Sequence, residues 1–188
     1  MVKENKEILL SLDIDWVKSP RDAKQLLKVL LPILKKTKFK RTVFGQSHRD
    51  IAKLIDPIVN PIYCVNVDHH HDIQYHQTCP LECGFLSCNW LGHYMVNNKI
   101  SGATWIANHD SIFNKYQLEV PYAKRNWSDR KSAVLNDDIL DVKLDIEEIS
   151  NFNYDYFFMC RSLHDSENNP AALMTFDTIE VIYKFLND

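Results

Sequence analysis

The chain has 188 residues, with 22 Lys and Arg against 25 Asp and Glu and a formal net charge of -3. That length fits a single domain of roughly 100–200 residues, residues 1–188, and no basic excess marks a nucleic-acid binder. Hydrophobic residues make up 45% and charged residues 25%, proportions that exclude a disordered or fibrous chain and suit a soluble globular one.

Residues 1–17, MVKENKEILLSLDIDWV, set basic residues before an apolar run that Asp13 and Asp15 interrupt. The run is too short and too acidic for a signal peptide or a membrane span. With no export signal, the expected compartment is the cytoplasm, and the cysteines at 64, 79, 83, 88 and 160 are expected as free thiols. Cys79, Cys83 and Cys88 cluster near His76 without the Cys-x2-Cys spacing of a zinc site, so they read as structural.

In chain order, residues 7–15 predict a strand ending in acids. Residues 19–36 predict a helix, with Ser19 as cap, Pro20 at the first position and an apolar face of Leu26, Leu27, Leu30, Leu31 and Leu34. Pro32 is expected to kink or shorten it. A strand over 39–45, a short helix over 48–56 ended by Pro57, and a strand over 61–67 follow. After an irregular stretch at 74–87 come a helix over 88–98, strands at 99–108 and 154–162, and a closing helix at 176–186. Residues 109–150 are the least readable; their acids, from Asp137 to Glu148, read as a solvated face that could also draw in a cationic substrate. Strands alternating with helices predict an α/β three-layer sandwich around a mainly parallel sheet.

Ligands of such sheets bind beyond the carboxyl ends of the strands, and three of these ends carry chemistry. Side chains two apart in a strand share a face. Asp68, His70 and Asp72 should therefore converge, with His69 and His71 turned away to pack or to hold neighbours in place, and Asp13 should pair with Asp15. His48 follows the strand 39–45 by a short turn. Four carboxylates and two imidazoles suit a pair of divalent ions, Mn2+ above all, better than a thiolate-rich structural zinc. Trp16, Trp90 and Trp105 read as core or pocket wall, with Trp90 at the entrance.

The stretches VDHHHDI, SLDIDWVKSP and GQSHRDI resemble the metal-binding strand ends of the arginase and agmatinase (ureohydrolase) superfamily. The Asp-x-Asp strand comes first here, whereas classical arginases place it last, and the chain is shorter. Both departures suit a compact arginase-like family whose characterised members include peptide arginases, which turn arginine into ornithine within ribosomally made peptides. The resemblance covers mainly residues 8–73. It implies an arginase/deacetylase-like fold, two manganese ions, and an arginine-containing precursor peptide as partner. It further implies that Asp13 and Asp68 bridge both ions, that His48 and Asp72 complete one site, and that His70 and Asp15 complete the other.

A metal pair activates water for attack on the guanidinium carbon, and the departing amine then needs a proton, for which histidine is suited. His76 and His93 are the candidate shuttles. Glu82, Asp165 and Glu167 are candidate partners of the guanidinium, and Glu167 is counted with His76 and His93 among the candidate catalytic residues. The alternatives are a related ureohydrolase or a deacetylase acting on a small molecule, and a non-catalytic metal- or peptide-binding module.

Overall fold

The computed structural model describes residues 6–73, 85–109, 111, 140–162, 166 and 168–187. Its centre is one six-stranded sheet, with strands β1 (Ile8–Asp13), β2 (Arg41–Gly45), β3 (Ile62–Val67), β4 (Ile100–Ile106), β5 (Leu140–Lys143) and β6 (Tyr156–Cys160). The order is β2-β6-β1-β3-β4-β5, and every pairing is parallel. All six carboxyl ends therefore share one edge. Helices α1 (Pro20–Lys36), α2 (Ala52–Ile55), α3 (Trp90–Val96) and α4 (Pro170–Asn187) cover the sheet, giving the three-layer α/β sandwich that the alternation of elements predicts.

Alternate residues of each strand feed two separate cores. Leu10, Leu12, Val65, Val67, Phe157 and Met159 meet α1, α4 and the 3-10 turn Ile146–Asn151 on one face. Leu9, Cys64, Ala103, Phe158 and Cys160 meet α2 and α3 on the other. Both faces must be apolar in a sheet of this kind, which is why its strands read as continuous hydrophobic runs. The connections from β1 to β2 and from β5 to β6 run toward the β2 edge and carry their helices on the first face. Those from β2 to β3 and from β3 to β4 run the opposite way and carry theirs on the second, as a constant crossover hand requires. The chain thus leaves the neighbouring strands β1 and β3 toward opposite faces, and this opens a crevice between their carboxyl ends.

The Ser19 hydroxyl accepts from the Asp22 backbone N–H at 3.2 Å and starts α1. Leu26, Leu30 and Leu34 are buried, while Leu27 and Leu31 are half-buried. Pro32 sits inside the helix with its ring in solvent, and the helix continues to Lys36 instead of ending there. Three expectations need correction. The final helix begins at Pro170, not at 176, because the Asn169 carboxamide accepts from the Ala172 N–H at 3.2 Å and Pro170 fills the first helical position. The stretch 109–150 includes a strand, β5, and the 3-10 turn, whose Ile146 and Ile149 are buried while Asp145 and Glu147 face solvent. Cys64 and Cys160 are free and buried, but Cys88 is disulfide-bonded, so a set of five free thiols does not hold. Among the described residues, no helix is long and apolar enough to cross a membrane.

Candidate metal centre

Three segments at the carboxyl edge bring the acids and imidazoles together. Asp13 is the last residue of β1, and its Oδ1 accepts from the Asp15 N–H at 3.1 Å, winding the chain into a 3-10 turn over Ile14–Trp16. That turn carries Asp15 to the same crevice. His48 opens a second 3-10 turn after β2. Gly45 allows it: a Cβ there would lie 2.7 Å from the Asp50 Cβ, and Asp50 must fold back to accept from the Gln46 N–H at 2.9 Å. After β3 the backbone leaves strand geometry at Asp68. The Asp68 N–H donates to the Ile106 carbonyl at 3.3 Å, and its own carbonyl accepts from the Trp105 indole at 3.0 Å. Its side-chain Oδ1 takes the His70 N–H at 2.8 Å.

Asp72 reaches the cluster by a left-handed backbone, φ 51°, a conformation that Asp tolerates better than most residues. The N-terminus of α3 holds it there. The Leu91 N–H donates to the Asp72 carbonyl at 3.0 Å, and the Trp90 indole donates to Asp72 Oδ2 at 2.7 Å. Gly92 lets the helix come so close, since a Cβ on it would fall 2.2 Å from the Ile73 carbonyl oxygen. Trp90 is fully buried, with its ring 5.1 Å from that of His48. It is thus part of the inner wall and not of the entrance where the sequence reading placed it, because its indole N–H is committed to a buried carboxylate.

All six sequence-predicted ligands meet. His48 Nδ1 lies 2.7 Å from Asp72 Oδ2, 3.2 Å from Asp13 Oδ2 and 3.6 Å from Asp68 Oδ2. A single ring N–H has one direction in which to donate, so it can serve Asp72, the nearest oxygen, while the Asp13 and Asp68 oxygens face the same nitrogen without a donor from it. His70 Nδ1 lies 3.0 Å from Asp15 Oδ2 and 3.9 Å from Asp68 Oδ1. Asp15 Oδ2 is buried without a well-directed hydrogen bond. Asp68 thus turns one oxygen toward each imidazole. The groups His48, Asp68 and Asp72, and Asp15, Asp68 and His70, each place their ligand atoms within 4.8 Å of one another. The carboxylates and His48 are at most 4% exposed, whereas the His70 side chain is 30% exposed.

Charge makes this arrangement costly without a cation. Burial, and then Asp72, Asp15 and Asp13, push the Asp68 carboxyl well above the usual range. Burial and the Asp15 charge raise Asp13 to about 7. Burial would lower His48, but the charges of Asp13 and Asp72 outweigh it and leave the ring raised. Burial would raise Asp15, yet the His70 ring 3.0 Å away and its charge draw it down to about 2. Buried charges persist only when paired or bound to metal, and this carboxylate- and imidazole-rich set is able to hold a metal ion.

His69 and His71 do not share one fate. His71 is buried edge-on to Trp105, at 5.7 Å between rings, with its Nδ1 accepting from the Ile73 N–H at 3.0 Å. His69 stays beside the centre: its backbone N–H donates to Asp15 Oδ1 at 3.2 Å, and its ring lies 3.4 Å from the Ser111 hydroxyl. His93, on α3, packs against Phe85 and Tyr94. Burial lowers its pKa, opposed by the charge of Asp56 at the end of α2, away from the carboxyl edge. His76, Glu82, Asp165 and Glu167 lie outside the described residues.

Trp90, Trp105 and Cys160 are parts of the surroundings whose roles the sequence does not reveal; Asn66, two residues before Asp68 on the same strand face, could have been found by alternation. Trp90→Phe keeps the ring but removes the donor to Asp72. Metal affinity should then fall about 10–100-fold, read by competition with a chelator; a loss below about threefold would show that Asp72 does not depend on this bond. Comparison with protein-family models, curated proteins and solved structures finds no match to the chain.

Proposed function

We propose that the chain is a hydrolase with two divalent metal ions, manganese by preference, that cleaves the guanidinium of arginine to ornithine and urea. The observation that carries this reading is the split of Asp68, one oxygen facing His48 and the other facing His70. In the reading, Asp68 and Asp13 would be shared between the ions, with His48 and Asp72 holding the inner one and His70 and Asp15 the outer one. The preference for a peptidyl arginine of a ribosomal precursor peptide comes from the likeness of the three strand-end stretches to those of the compact arginase-like family.

Two ions held there would supply Lewis-acid activation of water at neutral pH. The chain's own residues do the rest. The buried carboxylates give the crevice a negative field that attracts a guanidinium cation. The exposed edge of His70 marks the side on which that cation arrives. Trp105 and Trp90 hold Asp68 and Asp72 by their indole N–H groups, fixing the ligand geometry before substrate binds. The amine must leave with a proton, which assigns a protonating group near the outer site; His76 is a candidate for that role.

Manganese-loaded protein incubated separately with an arginine-containing peptide, free arginine and agmatine tests the reading. Urea release with loss of CH2N2 from the peptide is the expected result. Urea from agmatine or free arginine alone would assign a small-molecule ureohydrolase. No urea from any substrate, with manganese bound, would sink the proposal.

A further inference from the structure

One donor in the centre stands outside the carboxylate and imidazole set. Strand β6 lies between β1 and β2, and its last residue, Cys160, is paired in register with Asp13 and Gly45. Register partners in neighbouring strands point to the same face, so the thiol is directed to the crevice beside Asp13. Cys160 is fully buried and free. With Asp13 and His48 it places ligand atoms within 4.8 Å of one another. Cys160 belongs to the apolar cluster under α2 and α3, yet its thiol also lies beside Asp13 and His48. His48 Nδ1 already faces three carboxylate oxygens, and the buried Nε2 of the same ring has no hydrogen-bond partner among the described residues.

The two halves therefore differ in chemistry. The His70 half is built from oxygen donors and one imidazole, which suit manganese. The His48 half adds sulfur, and thiolate with imidazole favours zinc or ferrous iron over harder ions. We propose that Cys160 is a thiolate ligand of the His48 half, making this centre asymmetric, with a thiophilic divalent ion inside and a harder one outside. Ligation forms a metal–sulfur bond and releases the thiol proton to solvent. This inference rests on the reading of the cluster as a metal centre, and its test separates the two.

The test titrates the full-length, metal-free, reduced protein anaerobically with Co(II), which reports both its geometry and its ligands by absorption. Wild type should show visible ligand-field bands together with an intense near-ultraviolet thiolate-to-cobalt band within the first equivalent. Cys160→Ser and Cys160→Ala should lose the near-ultraviolet band and keep ligand-field bands. Zinc affinity of the first site should fall at least about tenfold in both variants, with manganese affinity of the second within about twofold. Visible bands in wild type with no thiolate band would overturn the role of Cys160 while leaving the metal centre standing. No cobalt bands at all, in protein folded by circular dichroism, would overturn the metal centre itself. A near-ultraviolet band that persists in both variants, folded by circular dichroism, would assign the thiolate to other cysteines and overturn the role of Cys160.

Discussion

Asp68→Asn should abolish metal binding and at the same time make the metal-free protein more stable. The Asp68 carboxyl is held far above its usual range, by burial first and then by Asp72, Asp15 and Asp13. Above that ordinary range, folding must either keep a proton on this carboxyl or bury its charge, and both cost free energy. Asparagine keeps the shape and can still accept from the His70 N–H, but it carries no charge. Without metal, the variant should gain on the order of 1–3 kcal/mol against urea denaturation. With metal, the loss of the shared ligand should lower manganese affinity at least a thousandfold, about 4 kcal/mol, and urea formation should fall with it. The two measurements move in opposite directions, as expected where a site is built for function at the expense of stability. Unchanged manganese binding, measured by titration calorimetry, would remove Asp68 from the centre.

Between pH 6.5 and 8 the metal-free protein should lose stability as pH rises. Asp13 has a folded value of about 7, raised by burial and by Asp15. Over this window the folded state still binds a proton that the unfolded state has released, so stability falls as pH passes the folded value. Asp68 and His48, both raised, act in the same sense. His71, pushed down to about 4 by burial, acts in the opposite sense only below its ordinary value of 6.5, outside the window. Asp15, held near 2, is ionised throughout. The expected slope is on the order of 1 kcal/mol per pH unit. Saturating manganese displaces the protons, so the stabilisation it confers should grow over the same range. A flat metal-free profile in chemical denaturation would refute the charge crowding from which both expectations derive.

The sheet was legible because its strands are apolar runs ended by acids, and α1 because its cap, proline and leucine spacing agree. The gathering of the six candidate ligands was also legible, but the local reason was different from the one alternation supplies. β3 ends at Val67, so Asp72 arrives through a left-handed turn pinned by Trp90 and Leu91, and Asp15 through a 3-10 turn capped by Asp13. Both turns return the side chains to the face that an extended strand would have given them. β5 escaped notice because it has four residues, with Asp141 exposed, and lacks the continuous apolar run of the inner strands. Cys160 could not be placed, because its neighbour Asp13 is set by strand order, a long-range property that no local pattern encodes. The start of α4 was readable: Asn169-Pro170 is a cap followed by a first-turn proline.

The position of β6 also dictates when the centre can come into being. The six proposed carboxylate and imidazole ligands lie in residues 13–72, yet β2, which delivers His48, is joined to β1 only across β6. A ribosome making this chain will have released all six long before the strand that spaces them and carries Cys160. Pairing Leu9 with Tyr156 closes nearly the whole chain into a loop, and such distant contacts form slowly. Until then, β1 and β2 are left as unpaired edges in a partly folded chain exposed to aggregation. Metal capture in this protein should consequently be a late event, one that marks the completion of folding and does not nucleate it.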